Sequence, residues 1–504
     1  MDRRDLLRGA AALAAMRFLS AEPAKAGLDP RPHVQRDPFP LGVASGEPAS
    51  DGFVLWTRVI GPDADSLVGY EIAEDEHFRT IVWQGRALAL AARGGAVHLE
   101  VAGLPPGRPY FYRFHLGGAV SRTGRTATIA TDPQHLRLAL TSCQHWEQGW
   151  FTAYRDMQAR GVDAVLQVGD YIYEKSFGGG PDVRSFGTAE PRTLQQYRDR
   201  YALYRTDPDL AAAHATFPFI VSWDDHEVEN DYAGTEGGAT ADPAAFLQRR
   251  AAAYQAYFEH MPLRPGSLRP NGEIRLYRQL QWGRLATVHM LDTRQYRTAQ
   301  PCAASGERGG RIVEGCRQAI DPAATMLGAA QEQWLRDGLA REQARWSLIT
   351  QQTLFSRLFL PSGPDTCYSD IWDGYAATRD RVLAALHHPA VRNAAILGGD
   401  VHSFWINDVK PDFDRANSAT VATEIVTSCL ASRSGPEALF GSARELNPHL
   451  RFIDNAHAGY VLLDIVPAGL SIDLRAVSDL TDPAGHCHRL ASFFVEDGRP
   501  GVTG

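Results

Sequence analysis

The sequence predicts an α+β protein: a β sandwich near the N-terminus, then a larger domain in which strands and helices alternate. Three observations carry that prediction. Residues from about Phe39 to Ile129 break into short runs of β-formers separated by turns. From Leu136 the pattern changes to strand, helix, strand. A chain of 504 residues also exceeds one ordinary domain.

Ahead of both stands a targeting segment. Arg3-Arg4-Asp5-Leu6-Leu7, the small apolar run Gly9 to Met16 and Ala24-Lys25-Ala26 read as the three regions of a signal peptide over residues 1–26. The twin arginine points to the Tat export machinery, and so to a periplasmic or secreted protein. The net charge of −8 comes without a basic stripe, so no nucleic-acid-binding surface is evident. No apolar run approaches the roughly 20 residues of a membrane span.

The sandwich is expected over residues 38–131. Phe53 to Val59 reads as a strand after a turn, and Val97 to Val101 alternates. Tyr110 to Phe114 is rich in β-formers and follows the turn Leu104-Pro105-Pro106-Gly107. Strands and turns at this spacing resemble a fibronectin type III domain. Trp56 and the Tyr110 to Phe114 cluster are its expected core.

The second domain is expected over 135–488. Leu136 to Thr141 and Asp163 to Val168 are strands, and Phe151, Tyr154 and Met157 fall at helical spacing between them, with Gly161 as the stop. A right-handed crossover makes these strands parallel and puts their carboxyl ends on one edge. An insertion, Lys175 to Thr216, contains Gly178-Gly179-Gly180 and a polar helix over Leu194 to Arg205. Phe217 to Trp223 is the next strand, and Pro243 to His260 a helix. Ile274 to Gln281 and Leu285 to Leu291 form a hairpin. A helix near Ala329 to Glu342 precedes the strands Trp346 to Thr350 and Ala394 to Leu397. Thr423 to Ser428 and Gly459 to Val477 look antiparallel, and 489–504 reads as a C-terminal tail, Gly/Pro-rich and loose from Asp497.

Six cysteines must be placed in an oxidising compartment. Cys302 and Cys316, around a Gly-rich loop, are the best disulfide pair. Cys367, Cys429 and Cys487 allow at most one more bridge. Cys143 stands at a strand end, which suits a ligand better than a staple.

Polar groups recur at successive strand ends: Cys143; Asp170 and Tyr173; Asp225 and His226; Gln351 or Gln352; Asp400 and His402. An Asp at one strand end is usually a cap. Their recurrence on the edge where such sheets bind ligands points to a shared site, and a metal is the simplest occupant.

The motifs T-S-C-Q, G-D-Y-I-Y-E, W-D-D-H-E-V-E-N-D, L-D-T-R-Q-Y-R, W-D-G-Y and G-G-D-V-H, with G-V-A-S-G-E-P and L-W-T-R-V before them, resemble the calcineurin-like metallophosphatase superfamily. Within it they are most similar to the PhoD-like alkaline phosphatase family. That resemblance implies a four-layer αββα catalytic domain and a phosphate-ester substrate. The superfamily's first motif, D-x-H, is absent, and Cys143 stands in its place. Asp225-His226-Glu227 and Gly399-Asp400-Val401-His402 replace its other two histidine motifs, departures that the PhoD-like pattern shares.

Cys143, Asp170, Tyr173 and His402 then make a strongly donating anionic set, which suits Fe³⁺, as the resemblance also implies. Asp225, Asp400 and the shared Asp170 offer oxygen alone, which suits Ca²⁺. Gln352 or Gln351 could add an amide oxygen, and Asp224 and Asn230 stand nearby. The implied reaction is in-line attack of metal-bound hydroxide on phosphorus, with His226 protonating the leaving oxygen. Arg294 could bind phosphate or pair with a carboxylate. Trp372 and Tyr375 either line the substrate entrance or pack against the insertion. Phosphodiester hydrolysis, including phospholipase D-like action, uses the same centre. A non-catalytic surface-binding protein is the remaining alternative.

Overall fold

The computed structural model describes residues 37–60, 64–177, 183–304, 306–415, 417–435, 440 and 443–503. The signal-peptide reading (1–26) and the glycine run at 178–180 lie outside the described residues.

Two large sheets lie face to face. The first runs in the order Cys487–Glu496, Gly469–Val477, Gly459–Val466, Leu136–Gln144, Ala164–Gln167, Pro218–Val221, Val43–Gly46, Phe53–Arg58, Ala96–Val101. Its centre is parallel, with Thr141 opposite Gln167 and Gln167 opposite Val221. The second runs Arg278–Trp282, Ala286–Met290, Trp346–Thr350, Asn393–Gly398, Ala422–Val426, Phe404–Val409, Leu450–Asp454.

Period-2 alternation builds the layers. Leu138, Leu140, Leu166 and Val168 point at Val288, Met290, Leu348 and Leu397 of the other sheet. Their neighbours Ala139 and Val165 point outward, onto the aromatic faces of the helices Ala153–Arg160, Leu194–Tyr204, Pro208–Thr216 and Pro243–His260. Beyond the second sheet, Ile349 and Ile396 meet Leu335, Leu339 and Val382 of the helices Gly328–Ala340 and Ala376–Leu386. The result is helix, sheet, sheet, helix. Each fully buried Leu, Ile or Val contributes about 1.5–3 kcal/mol, so the double-sided burial of both sheets makes the site's platform rigid.

The crossover forms as expected: Gly161 ends its helix in the left-handed conformation at φ 64°. Cys302 and Cys316 are joined, and Cys143, Cys367, Cys429 and Cys487 are free. Phe53, Leu55, Val97 and Val101 face Val68, Ile72, Tyr110, Tyr112 and Phe114 across a two-sheet sandwich.

The sandwich is continuous with the larger domain: Val43–Gly46 pairs in parallel with Pro218–Val221, Ser45 opposite Pro218, so one of its sheets continues the catalytic sheet. Several expectations need correction. Trp56 points out of the sandwich core, because it alternates with Leu55; it packs with Leu41 and Ala44 and donates Nε1–H to the Glu259 carbonyl at 3.0 Å. Ala422–Val426 is antiparallel to Phe404–Val409 but parallel to Asn393–Gly398. The C-terminal tail is not loose over its described residues, 489–503. Cys487–Glu496 pairs with Gly469–Val477, and Asp497 bonds Arg345, Arg392 and Asn393. Pro208–Thr216, the last part of the insertion, is a second helix there, capped by Asp207.

Candidate metal centre

Strand ends supply the site, and the backbone there is forced into close turns. Of eight non-glycine residues with positive φ among the described residues, four are expected ligands: Cys143 (57°), Asp170 (55°), Asp400 (67°) and His402 (53°). Such conformations cost of order 1–3 kcal/mol each and persist where the surroundings hold them. Here they are held by loop-to-loop bonds. The N–H groups of Cys143 and Gln144 donate to the carbonyls of Gly169 (3.2 Å) and Asp170 (3.0 Å), and Gly399 N–H donates to the Gln352 carbonyl (2.7 Å). Gly169 has φ 120°, and a Cβ there would stand 2.4 Å from the Asp224 Cβ. That contact explains why glycine precedes Asp170.

One half of the site gathers around Asp170 Oδ2, which accepts from Cys143 Sγ at 3.4 Å and from the Tyr173 hydroxyl at 3.1 Å. The same hydroxyl lies 3.0 Å from His402 Nε2. His402 Nδ1 lies 2.6 Å from the Arg433 carbonyl, which assigns the proton to Nδ1 and leaves Nε2 free to act as a ligand. Donor atoms of Cys143, Asp170 and His402 all fall within 4.8 Å of one another.

The other half is carboxylate-rich. Asp170, Asp224 and Asp400 converge within the same distance, as do Asp170, Asp225 and His226. Asp400 Oδ2 accepts from Thr353 Oγ1 at 2.5 Å, and Asp225 Oδ2 from Asp231 N–H at 2.6 Å. One oxygen each of Asp170, Asp224 and Asp225 is buried with no hydrogen-bond partner among the described residues.

The electrostatics follow from packing acids out of water. Burial pushes Asp224 up to about 8 and Asp400 up to about 7, in both cases against the pull of Arg294. Burial raises Asp170 well above the carboxylate range, and it raises Cys143 and Tyr173 with help from the Asp170 charge. Burial lowers His402 to about 4. Burial opposes charge on Asp225 too, but Arg294 and His226 together hold it below its usual value. A bound cation reverses this penalty for every anionic donor.

His226 is fixed on three sides. Nδ1 lies 2.7 Å from Glu174 Oε2, the ring stacks on Tyr173 at 4.2 Å, and the Phe177 ring meets it at 5.1 Å. Burial disfavours its charge, yet Asp170, Glu174 and Asp225 raise it well above its ordinary value. Arg294 is 1% exposed and paired with Asp224 through Nε, with Asp370 at 2.8 Å and with Asp225 at 3.7 Å. Of its two expected roles, the structure displays carboxylate pairing; a phosphate contact would require the guanidinium to leave those partners.

Gln352 is not placed as a ligand. Its Oε1 accepts from Thr293 N–H (2.9 Å) and Oγ1 (2.7 Å), and its amide donates to Leu291. Gln351 is similarly held by Thr353 and Trp372. Both glutamines brace neighbouring loops. Asn230 enters through its backbone, donating N–H to Glu174 Oε1 at 3.3 Å. Trp372 and Tyr375 are buried in the core against Phe355 and the Gly328–Ala340 helix, so neither lines an entrance nor covers the insertion.

Sequence reasoning missed Glu174, Glu227, Thr353 and Asp370. Glu227 accepts from the N–H groups of Asp170 (3.1 Å), Tyr171 (2.6 Å) and Asp224 (2.8 Å), tying two strand ends together. Its place inside W-D-D-H-E was a usable signal, as was Glu174 at the end of G-D-Y-I-Y-E.

The sequence profile described as PhoD-like phosphatase matches residues 138–474, and that of the PhoD-like phosphatase N-terminal domain matches 23–130. Alkaline phosphatase D of Bacillus subtilis (strain 168) is 38% identical over 529 aligned positions, covering 99% of this chain and 88% of that protein. A solved structure titled as PhoD superposes with a TM-score of 0.88 at 37% identity, covering 94% of this chain and 93% of that one. The purple acid phosphatase PPD1 of yellow lupin shares the fold at 13% identity and a TM-score of 0.56, over 90% of this chain and 73% of its own. The chain belongs to the PhoD-like phosphatase family and is a phosphoesterase.

Proposed function

We propose that this phosphoesterase is an alkaline phosphatase acting on phosphomonoesters, at two cation sites that share Asp170. The observation that carries the reading is the position of Asp170, within 4.8 Å of Cys143 and His402 on one side and of Asp224 and Asp400 on the other. The three carboxylate oxygens that accept no hydrogen bond among the described residues support it, since a buried acceptor left unsatisfied costs about 1–3 kcal/mol. Cys143, Asp170, Tyr173 and His402 would hold Fe³⁺; Asp170, Asp225 and Asp400, with Asp224 beside them, would hold Ca²⁺. When bound, the cations supply Lewis-acid activation of water and neutralise charge on the phosphoryl group.

The chain's own residues do the rest. His226 donates a proton to the leaving oxygen, and Glu174 fixes the ring for that transfer. Glu227 and the loop-to-loop bonds keep Asp170 and Asp224 in register. Arg294 offsets the charge of the crowded carboxylates, and it would contact phosphate only on leaving those partners.

The N-terminal sandwich, about residues 38–131, reads as fibronectin type III-like, supported by its strand order, with the catalytic domain following from about residue 135. Arg3-Arg4 and Ala24-Lys25-Ala26 support Tat export to the periplasm or beyond. Among the described residues no helix is long and apolar enough to cross a membrane.

The test is to purify the exported protein, measure iron and calcium, and compare p-nitrophenyl phosphate with its bis-ester, with and without a calcium chelator. The expected result is both metals and chelator-sensitive monoester hydrolysis. A preference for the diester would move the reading to phosphodiesterase. Neither metal would contradict the centre.

A further inference from the structure

The rim of the site is sorted by charge. Lys175, Phe177 and Arg433, each half-buried, stand beside His226 and His402, whereas Asp231 stands beside Asp225. Phe177 is the hub of the first group. Its ring meets His226 at 5.1 Å and Tyr173 at 6.0 Å, each close to edge-on, and the Lys175 ammonium sits 5.1 Å from its centre. The carbonyl of Phe177 is clamped by Gln148 Nε2 at 3.3 Å and Arg433 Nη1 at 3.2 Å. Arg433 in turn uses its own carbonyl to hold His402. The aromatic wall is therefore fixed to the same elements that fix the site, and is no loose flap.

Among the described residues Lys175 has no strong partner. Its nearest carboxylate oxygen, Glu174 Oε1, is 3.7 Å away, beyond hydrogen-bond length, while Glu174 Oε2 is engaged with His226. Its side chain is 37% exposed, so the ammonium keeps donors for a ligand at the mouth.

We propose that Lys175 and Phe177 form the leaving-group side of the site and favour phosphate esters whose leaving group carries a further negative charge. The inference rests on the reading of His226 as proton donor. A leaving oxygen that takes its proton from His226 departs on the side of that ring, and there the next surfaces are the Phe177 face and the Lys175 ammonium. An apolar or aromatic group packs on Phe177, and a carboxylate or phosphate on it reaches Lys175. The same charge turned the other way would meet Asp231. The acidic rim thus disfavours the reverse orientation as the cationic rim favours this one.

The experiment compares kcat/KM for phenyl phosphate and p-carboxyphenyl phosphate on the metal-loaded protein, in the wild type, Lys175→Gln, Lys175→Glu and Phe177→Ala. Intrinsic reactivity differences cancel when each variant's substrate ratio is divided by that of the wild type. An exposed ion pair is modest in water, so the ratio should fall about three- to fivefold in Lys175→Gln and about tenfold or more in Lys175→Glu. The wild-type preference should shrink in 0.5 M salt, by roughly the same factor. Phe177→Ala should lower kcat/KM on both aryl esters. Metal content and melting temperature, measured alongside, identify any variant that has lost its fold. A ratio in Lys175→Glu within about twofold of the wild type, with metals retained, overturns the subsite. No hydrolysis of either ester by the metal-loaded wild type overturns the monoesterase reading itself, and the subsite with it.

Discussion

Oε2 of Glu174 lies 2.7 Å from Nδ1 of His226, and the glutamate side chain is 0% exposed. With Tyr173 stacked on one side and Phe177 at its edge, the imidazole has a single orientation, and its second ring nitrogen belongs to the site. An orienting carboxylate of this kind matters most when the ring must deliver a proton.

His226→Ala is therefore expected to keep its metals but lose at least about 100-fold in kcat on an alkyl phosphate, a poor leaving group, and less than about tenfold on p-nitrophenyl phosphate. Glu174→Gln should show the same selectivity at roughly a tenth of the size. Steady-state rates across a series of leaving groups read this out. Equal losses on good and poor leaving groups would remove the pair from proton transfer.

Gly169→Ala should damage the centre from a distance of one residue. The added Cβ would meet Asp224 Cβ at 2.4 Å and Asp224 N at 2.7 Å, at a φ of 120° that alanine rarely adopts. A loss of at least about 2 kcal/mol of stability, with reduced metal content, is expected. Gly161→Ala is the control: its φ is 64° and nothing lies within 4 Å, so about 1 kcal/mol and no metal loss is expected. Melting curves and metal analysis decide, and equal effects from the two substitutions would contradict the close-approach argument.

His98 links the sandwich to the catalytic domain and should make that junction acid-sensitive. Its Nε2 contacts the carbonyls of Phe258 (2.8 Å) and Met261 (3.0 Å), and its ring stacks on Phe258 at 4.4 Å. Burial lowers it to about 4, against the help of those carbonyls, while the unfolded chain retains about 6.5. Between those values the unfolded state binds the extra proton, so stability is full above about pH 6.5 and falls as pH drops towards 4. His98→Gln should flatten the stability profile across that window by on the order of 1–2 kcal/mol relative to the wild type. Chemical denaturation at both ends of the window checks it, and parallel profiles would exclude His98 as a source.

Much of the platform was legible because its signals are local. The Leu136–Gln144 and Ala164–Gln167 strands, the Gly161 stop and the whole Pro243–His260 helix follow from periodicity and turn chemistry. Cys143, Asp170 and Asp400 were visible as polar residues ending apolar strands. Glu227 and Glu174 were harder, since their partners include residues 50 or more positions away whose placement only the tertiary fold decides. Gln352 was legible as a polar strand end, but not its partners: that end faces the Leu291–Thr293 turn, which takes its amide. The direction of Ala422–Val426 and the pairing of the polar Cys487–Glu496 edge strand are topological, and alternation alone carries neither.

The central claim is that Cys143 belongs to a metal-holding set with Asp170, Tyr173 and His402. The most direct measurement is iron per protein molecule, with phosphatase activity, in Cys143→Ala against the half-buried free cysteine control Cys367→Ala. The account predicts that Cys143→Ala folds, loses its iron and falls at least about 100-fold in kcat, while Cys367→Ala matches the wild type. A Cys143→Ala protein with full iron and full activity would contradict it.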